Sequence, residues 1–197
     1  LPPTSALRII TGSLKGRTIP FTARKGAVRF TGAMLKEAVF AMLGPALAES
    51  TFVDLCAGSG QMGFEASSRG AAVLFNEPDR RRFGQIKSLV RQWRLADVEL
   101  FSDKAQVLMD RLAAENRTFD TIYLDPPYDA TFEKGPLSLA LIEKLGALKL
   151  LAADGRLFAQ VQKSLELPCD AGRLELLRQR RYGDTVLGIY APRPDDG

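Results

Sequence analysis

The sequence predicts an α/β fold: a mostly parallel sheet covered by helices on both faces, with an antiparallel edge. Three observations carry that expectation. From residue 51 onward, short apolar runs alternate with amphipathic helical stretches. The first run ends in a glycine turn, "AGSGQMG", that opens a helix. The closing segment, "RLELLRQRRYGDTVLGIYAP", reads as two strands turning at Tyr182-Gly183-Asp184. A length of 197 residues suits one domain with a substantial core and a short extension. A hydrophobic share of 46% with 25% charged residues fits a soluble globular protein.

Taken in order, "LRIITGSLKGRTIPF" has strand-like runs around Thr11-Gly12-Ser13, the pattern of a hairpin. "TGAMLKEAVFAML" places Leu35, Val39, Met42 and Leu43 on one helical face, with Thr31 as its N-cap. "TFVDLC" is the first buried strand, and "QMGFEASSR" the helix after it, ended by Gly70. "AAVLFNE" is a second buried strand. "DRRRFGQIKSLVRQWRL" follows as a helix with Phe83, Ile86, Leu89, Val90 and Trp93 inward. "VELFS" (strand), "KAQVLMDRLAAE" (helix), "FDTIYLD" (strand), "LSLALIEKLGAL" (helix) and "GRLFAQVQ" (fifth strand) complete the alternation. No internal repeat interrupts it. The one boundary falls near Gly44-Pro45, dividing a basic extension, residues 1–44, from a sheet domain, residues 45–197.

Charge distinguishes these two parts. Residues 1–36 hold Arg8, Lys15, Arg17, Arg24, Lys25, Arg29 and Lys36 and no acid, whereas the remaining chain has 20 basic and 23 acidic side chains. A +7 segment on a −3 body is the footprint of a polyanion-binding protein. Other classes are excluded. No stretch has the ~18 apolar residues of a membrane helix, and no basic-then-apolar leader is visible, so a cytoplasmic location is expected. Cys56 and Cys169 lie far apart, and the chain has no His. That argues against a metal site, for reduced thiols, and against Ser-His or Cys-His nucleophiles.

The candidate site gathers at strand ends. Gly58, Gly60 and Gly63 have G-x-G-x-x-G spacing after the first strand. Such turns let the backbone approach a ligand closely, and both dinucleotides and S-adenosylmethionine bind sheets this way. The carboxylates lean toward the latter. Asp54, just before the turn, suits a ligand carrying an ammonium group. Glu77, followed by the stiffening Pro78, suits a ribose diol; Asp103 suits the adenine amine. The adjoining Cys56, Ala57 and Lys104 complete the expected cofactor-binding set.

Asp125-Pro126-Pro127-Tyr128 ends the fourth strand. Methylation of an exocyclic base amine needs such a set. The amine nitrogen is a poor nucleophile because its lone pair is delocalised into the ring. Asp125 and the Pro126 carbonyl can accept hydrogen bonds from it, turning the lone pair toward a methyl donor. The prolines hold these acceptors in place. Tyr128 offers a face on which a flipped-out base can stack, worth ~1–3 kcal/mol.

Together these segments resemble the D/N-P-P-Y/F group of S-adenosylmethionine-dependent methyltransferases. Within that group the chain is similar to bacterial small-subunit (16S) ribosomal RNA guanine-N2 methyltransferases. The resemblance runs through "RIITGSLKGR", "RFTGAMLKEAVFAML", "DLCAGSGQMGFEASSRGA", "LDPPY" and "RRYGDTVLGIY". It implies a Rossmann-like, seven-stranded methyltransferase sheet with a small N-terminal hairpin and helix. It further implies S-adenosyl-L-methionine as cofactor and ribosomal RNA or the assembled small subunit as partner. RNA contacts are then expected from Arg8, Lys15, Arg17, Arg24, Lys25, Arg29 and Thr31, with the enzyme a monomer that needs no metal. Two departures stand out. Phe30 replaces the family's proline between Arg29 and Thr31, and Gln160 and Gln162 stand where a glutamate is common. Rival readings are a DNA adenine-N6 methyltransferase, a protein amine or glutamine methyltransferase, a non-catalytic RNA-binding module and a nicotinamide oxidoreductase. No spare ~80–100 residues exist for a DNA target-recognition region. Asp125 and the basic extension disfavour the protein-methylating reading, retention of Asp125 disfavours a non-catalytic one, and D-P-P-Y is idle in an oxidoreductase.

Overall fold

A computed structural model describes residues 6–20, 32–133 and 135–194. Two compact units divide the chain, residues 1–102 and 103–197. In the first, β1 (Ala6–Arg8) and β2 (Thr18–Pro20) pair antiparallel. The hairpin is thus shorter in strand and wider in turn than the sequence pattern suggests. Gly12, in the turn, lies so close to the end of a later helix that a Cβ there would stand 1.7 Å from the Ser68 carbonyl oxygen. Helix α1 (Ala33–Leu43) follows, then a short 3-10 turn over Gly44–Leu47.

Three parallel strands form this unit's part of the sheet: β3 (Thr51–Asp54), β4 (Ala72–Asn76) and β5 (Val98–Phe101), in that order. Helix α2 (Gln61–Ser68) joins the first two and α3 (Arg80–Trp93) the last two. Phe52, Phe64, Phe75 and Ile86 are fully buried between these layers. Phe64 packs on both Phe75 and Trp93, with ring centroids 4.9 Å apart in each pair. Of the five inward residues expected in α3, Ile86, Leu89 and Trp93 are buried and Phe83 and Val90 half-buried.

Helix α1 corrects two expectations. Its N-cap is Gly32, without a side-chain cap; Thr31 lies outside the described residues. Its buried face is Leu35, Lys36, Val39 and Phe40, while Met42 is exposed. The face turns because Lys36 points inward. Its ammonium donates to the Arg8 carbonyl at 2.8 Å and lies 3.5 Å from the buried Glu65 carboxylate.

The second unit contains α4 (Ala105–Ala114), β6 (Phe119–Leu124), a small antiparallel pair, β7 (Thr131–Phe132) with β8 (Gly135–Pro136), and α5 (Leu137–Ala147). Next come β9 (Leu151–Gln162), β10 (Asp170–Ala171), β11 (Leu174–Tyr182) and β12 (Thr185–Pro192). β6 runs parallel to β9; β9, β12, β11 and β10 then pair antiparallel in that order. The antiparallel edge is therefore present. Among the described residues the sheet strands number eight rather than seven, the extra one being the two-residue β10. Among the described residues no helix is long and apolar enough to cross a membrane.

Candidate functional site

The first unit builds a carboxylate-lined turn where β3 ends. Asp54 is 2% exposed, and its Oδ2 accepts the Gly63 amide of α2 at 2.9 Å. No cation pairs with it among the described residues. Burial therefore dominates, and with the neighbouring Glu77 charge it pushes the Asp54 carboxyl up to about 7. Glu77, just past β4, accepts the Gly58 amide at 2.7 Å and the Asp79 amide at 2.8 Å, one on each oxygen. Burial again raises its pKa, against those two hydrogen bonds. Each carboxylate oxygen keeps a further lone pair for a ligand.

The backbone between them is shaped by its glycines. Gly58 has φ +57°, and a Cβ there would meet nothing within 4 Å, so the turn opens onto free space. Gly63 has no such freedom, since a Cβ would lie 2.2 Å from Phe75 Cε1. The first glycine leaves the space beside the turn clear and the last lets helix and strand close together. The Ala57 amide donates to the Asn76 carbonyl at 2.9 Å, and the Asn76 side chain donates to the Leu55 carbonyl at 3.0 Å. Asp54, Ala57, Gly58, Gly60 and Glu77 thus line one cradle, each fixed by its own hydrogen bonds, with Cys56 half-buried within it and Pro78 exposed after it.

Asp103 and Lys104 open the second unit. Lys104 is the exposed N-cap of α4, and the Asp103 carboxylate accepts from Arg111 at 2.6 Å. The Asp125-Pro126-Pro127-Tyr128 loop leaves β6 with Asp125 and Tyr128 half-buried, Pro126 buried and Pro127 exposed. Tyr128 is held by its hydroxyl, which donates to the Val161 carbonyl at 3.0 Å and lies 2.9 Å from Thr185 Oγ1. With its single proton used on Val161, the tyrosine oxygen accepts from Thr185. The hydroxyl is therefore anchored jointly by β9, through Val161, and by the closing "RRYGDT" segment, through Thr185. That role is not legible in the sequence, although the segment itself stands out. Gln160, at the glutamate-like position, accepts from the buried Tyr123 hydroxyl at 2.6 Å.

Of the expected RNA contacts, Arg8, Lys15 and Arg17 are exposed, and the Arg17 guanidinium lies 5.5 Å from the Trp93 ring centroid. Arg24, Lys25, Arg29, Phe30 and Thr31 lie outside the described residues. What fastens this arm has no local signal in the sequence. Glu65, fully buried in α2, accepts the Ile10 amide at 2.8 Å and the Thr11 amide at 3.1 Å, besides pairing with Lys36 and Arg69. The Ser68 hydroxyl donates to the Thr11 carbonyl and accepts the Leu14 amide. Among the described residues no three His, Cys, Asp or Glu side chains gather where a metal ion could sit.

Known proteins resemble this chain along most of its length. "Putative rRNA methyltransferase YlbH" of Bacillus subtilis (strain 168) is 32% identical over 189 residues, covering 95% of this chain and all of that one. "Ribosomal RNA small subunit methyltransferase D" of Haemophilus influenzae is 35% identical over 140 residues, 68% of this chain and 69% of its own. The solved structure of "Putative methyltransferase yhhF from Escherichia coli" superposes with a TM-score of 0.82 at 23% identity, covering 96% of this chain and 99% of that one. That likeness shows a Rossmann-like methyltransferase fold. The model of the family described as "Conserved hypothetical protein 95" matches residues 7–191, and the chain belongs to that family.

Proposed function

We propose that this protein transfers a methyl group from S-adenosyl-L-methionine to the exocyclic N2 amine of a guanine in small-subunit (16S) ribosomal RNA. The observation that carries the reading is Asp54: a buried carboxylate with no cationic partner among the described residues, beside a glycine turn open to solvent. Such a group fits a ligand that brings its own ammonium. Glu77 fits a vicinal diol, since both its oxygens keep lone pairs while backbone amides fix their direction. Asp103 is assigned the adenine amine, with Cys56, Ala57, Gly58, Gly60, Pro78 and Lys104 shaping the walls. When bound, the cofactor supplies an electrophilic methyl group on a sulfonium.

The chain's part in the chemistry is orientation. Asp125 and the Pro126 carbonyl accept hydrogen bonds from the guanine N2 amine, aim its lone pair and offset the positive charge that develops on nitrogen. Tyr128, held by Val161 and Thr185, presents its ring to the base. Asp125 would also be placed to take the proton that the amine gives up on accepting the cofactor's methyl group, with solvent as the other acceptor. Residues 1–44, with Arg8, Lys15 and Arg17 among the described cations, form the RNA-contacting extension of a cytoplasmic, monomeric enzyme. The family relatives named as ribosomal RNA methyltransferases support this substrate.

Labelled S-adenosylmethionine, offered with small subunits or 16S RNA lacking the modification, tests the reading. Nucleoside mass spectrometry is expected to show N2-methylguanosine. Product in duplex DNA as N6-methyladenosine would replace it with the adenine reading. Asp125→Ala is expected to abolish transfer while cofactor affinity stays within about twofold, a split that marks an interaction made only in the transition state.

A further inference from the structure

Helix α3 carries a charge pattern that neither the fold nor the cofactor cradle uses. Between Arg80 and Arg94 it holds Arg80, Arg81, Arg82, Lys87, Arg91 and Arg94, with no acid before Asp97. Arg82 reaches toward Glu77 at 4.0 Å. Arg81 lies within electrostatic reach of the N-cap Asp79; Arg80, Lys87, Arg91 and Arg94 are exposed and pair with no acid among the described residues. Spacings of four, three and four place Arg80, Gly84, Lys87 and Arg91 on one stripe, opposite the buried Ile86, Leu89 and Trp93. The stripe runs roughly 16 Å along the helix.

Three local rules are broken along it. Cations at positions 80–82 oppose the positive end of the helix dipole. Lys87 and Arg91, at i and i+4, repel one another. Gly84 sits in the helix interior, where glycine is disfavoured, yet a Cβ there would meet nothing within 4 Å and its φ is not in the left-handed region. Packing thus leaves this glycine unexplained. Where local rules are broken without a gain to the fold, a function is the expected reason. A missing side chain between flanking cations is what close approach of a phosphate backbone requires.

We infer that the outer stripe of α3, with Arg80, Lys87 and Arg91 around the bare backbone at Gly84, is a second RNA-phosphate contact surface, distinct from the N-terminal arm. It rests on the proposed ribosomal RNA substrate. The arm abuts the same helix: Arg17 stacks over Trp93, and Gln85 donates to the Pro20 carbonyl. The stripe also begins three residues after Glu77. A strand of RNA tracked by arm and stripe is thereby led to the cofactor cradle's edge.

The full chain is tested with 16S RNA across a salt series. For Lys87→Glu/Arg91→Glu the log–log salt slope is expected to become shallower by roughly 1.5 to 2, because two fewer phosphates are neutralised. Cofactor affinity and thermal midpoint should stay as in the parent, and Lys87→Gln/Arg91→Gln supplies a milder version should the reversal misfold. Gly84→Leu is expected to raise the thermal midpoint and yet weaken RNA binding, a pairing that a purely structural role would not produce. An unchanged salt slope in the paired substitutions overturns the inference. So does weaker binding to anionic lipid vesicles with RNA binding intact. Failure of the parent chain itself to bind or methylate RNA would instead sink the substrate reading beneath it.

Discussion

Asp54, the proposed ammonium partner, lowers stability by being buried as a carboxylate. Its carboxyl is pushed from the ordinary 3.8 to about 7, first by burial and then by the Glu77 charge. Between those two values the folded chain holds a proton that the unfolded chain has already lost. Stability therefore falls as pH rises through this window and levels off above it. A ligand ammonium acts the other way, favouring the ionised form. Cofactor affinity is thus expected to rise with pH up to about 7 and then plateau. Asp54→Asn, which keeps an acceptor for the Gly63 amide, should flatten both trends. Urea midpoints for the variant should exceed the parent's near ~pH 8, while calorimetry shows weaker cofactor binding at every pH. A parent whose stability rises across the window would contradict the assignment. At Gly63 the constraint is steric: Gly63→Ala drives a methyl into the Phe75 ring and should cost ~1–3 kcal/mol.

Among the elements, the hairpin and α2 depend on one another. Glu65 alone satisfies two backbone amides of the turn after β1 and pairs with Lys36 and Arg69. Burial pulls the Lys36 pKa down while Glu65 holds it up. Glu65→Ala leaves the buried Lys36 without its counter-charge and the Ile10 and Thr11 amides without their shared acceptor, and should cost ~3–5 kcal/mol. Amide exchange should report it first at Ile10 and Thr11. Loss of protection spread evenly over the first unit would argue against a local fastening. Thr185→Val is the matching change at the loop after β6. It removes a hydroxyl worth ~1 kcal/mol from Tyr128 and should lower kcat with little effect on cofactor affinity. The alternation of strand and helix is legible in the sequence because apolar periodicity reports burial directly. The cradle glycines are legible because their spacing is local. The Glu65 network and the Thr185 contact are not, since each joins residues more than fifty positions apart. The α1 face differs from its sequence pattern for the same reason: a lysine reads as outward until its distant partner is known.

Over the whole molecule, the charge is divided more sharply than the net +4 suggests. Residues 1–102 hold fourteen basic and eight acidic side chains, whereas residues 103–197 hold thirteen and fifteen. Thirteen of those fourteen cations fall either before residue 37 or between Arg80 and Arg94. The clustered cations and the proposed cofactor cradle thus share one unit, while the loop proposed to orient the base belongs to the other. This division separates two kinds of interaction energetically. On the proposed reading, contacts to phosphates form equally in the bound ground state and in the transition state and would set KM and the salt dependence. On the same reading, contacts from Asp125 strengthen only as charge develops on the amine and would set kcat. Charge reversal at Arg8, Lys15 and Arg17 is therefore expected to raise KM for RNA with kcat kept within about threefold. Combined with Lys87→Glu/Arg91→Glu, the reductions in salt slope should add, because the substituted groups share no partner. Steady-state kinetics at several salt concentrations would measure both quantities at once. A fall in kcat matching the rise in KM would mean that the basic segments also position the base, and the division of labour between the units would have to be redrawn.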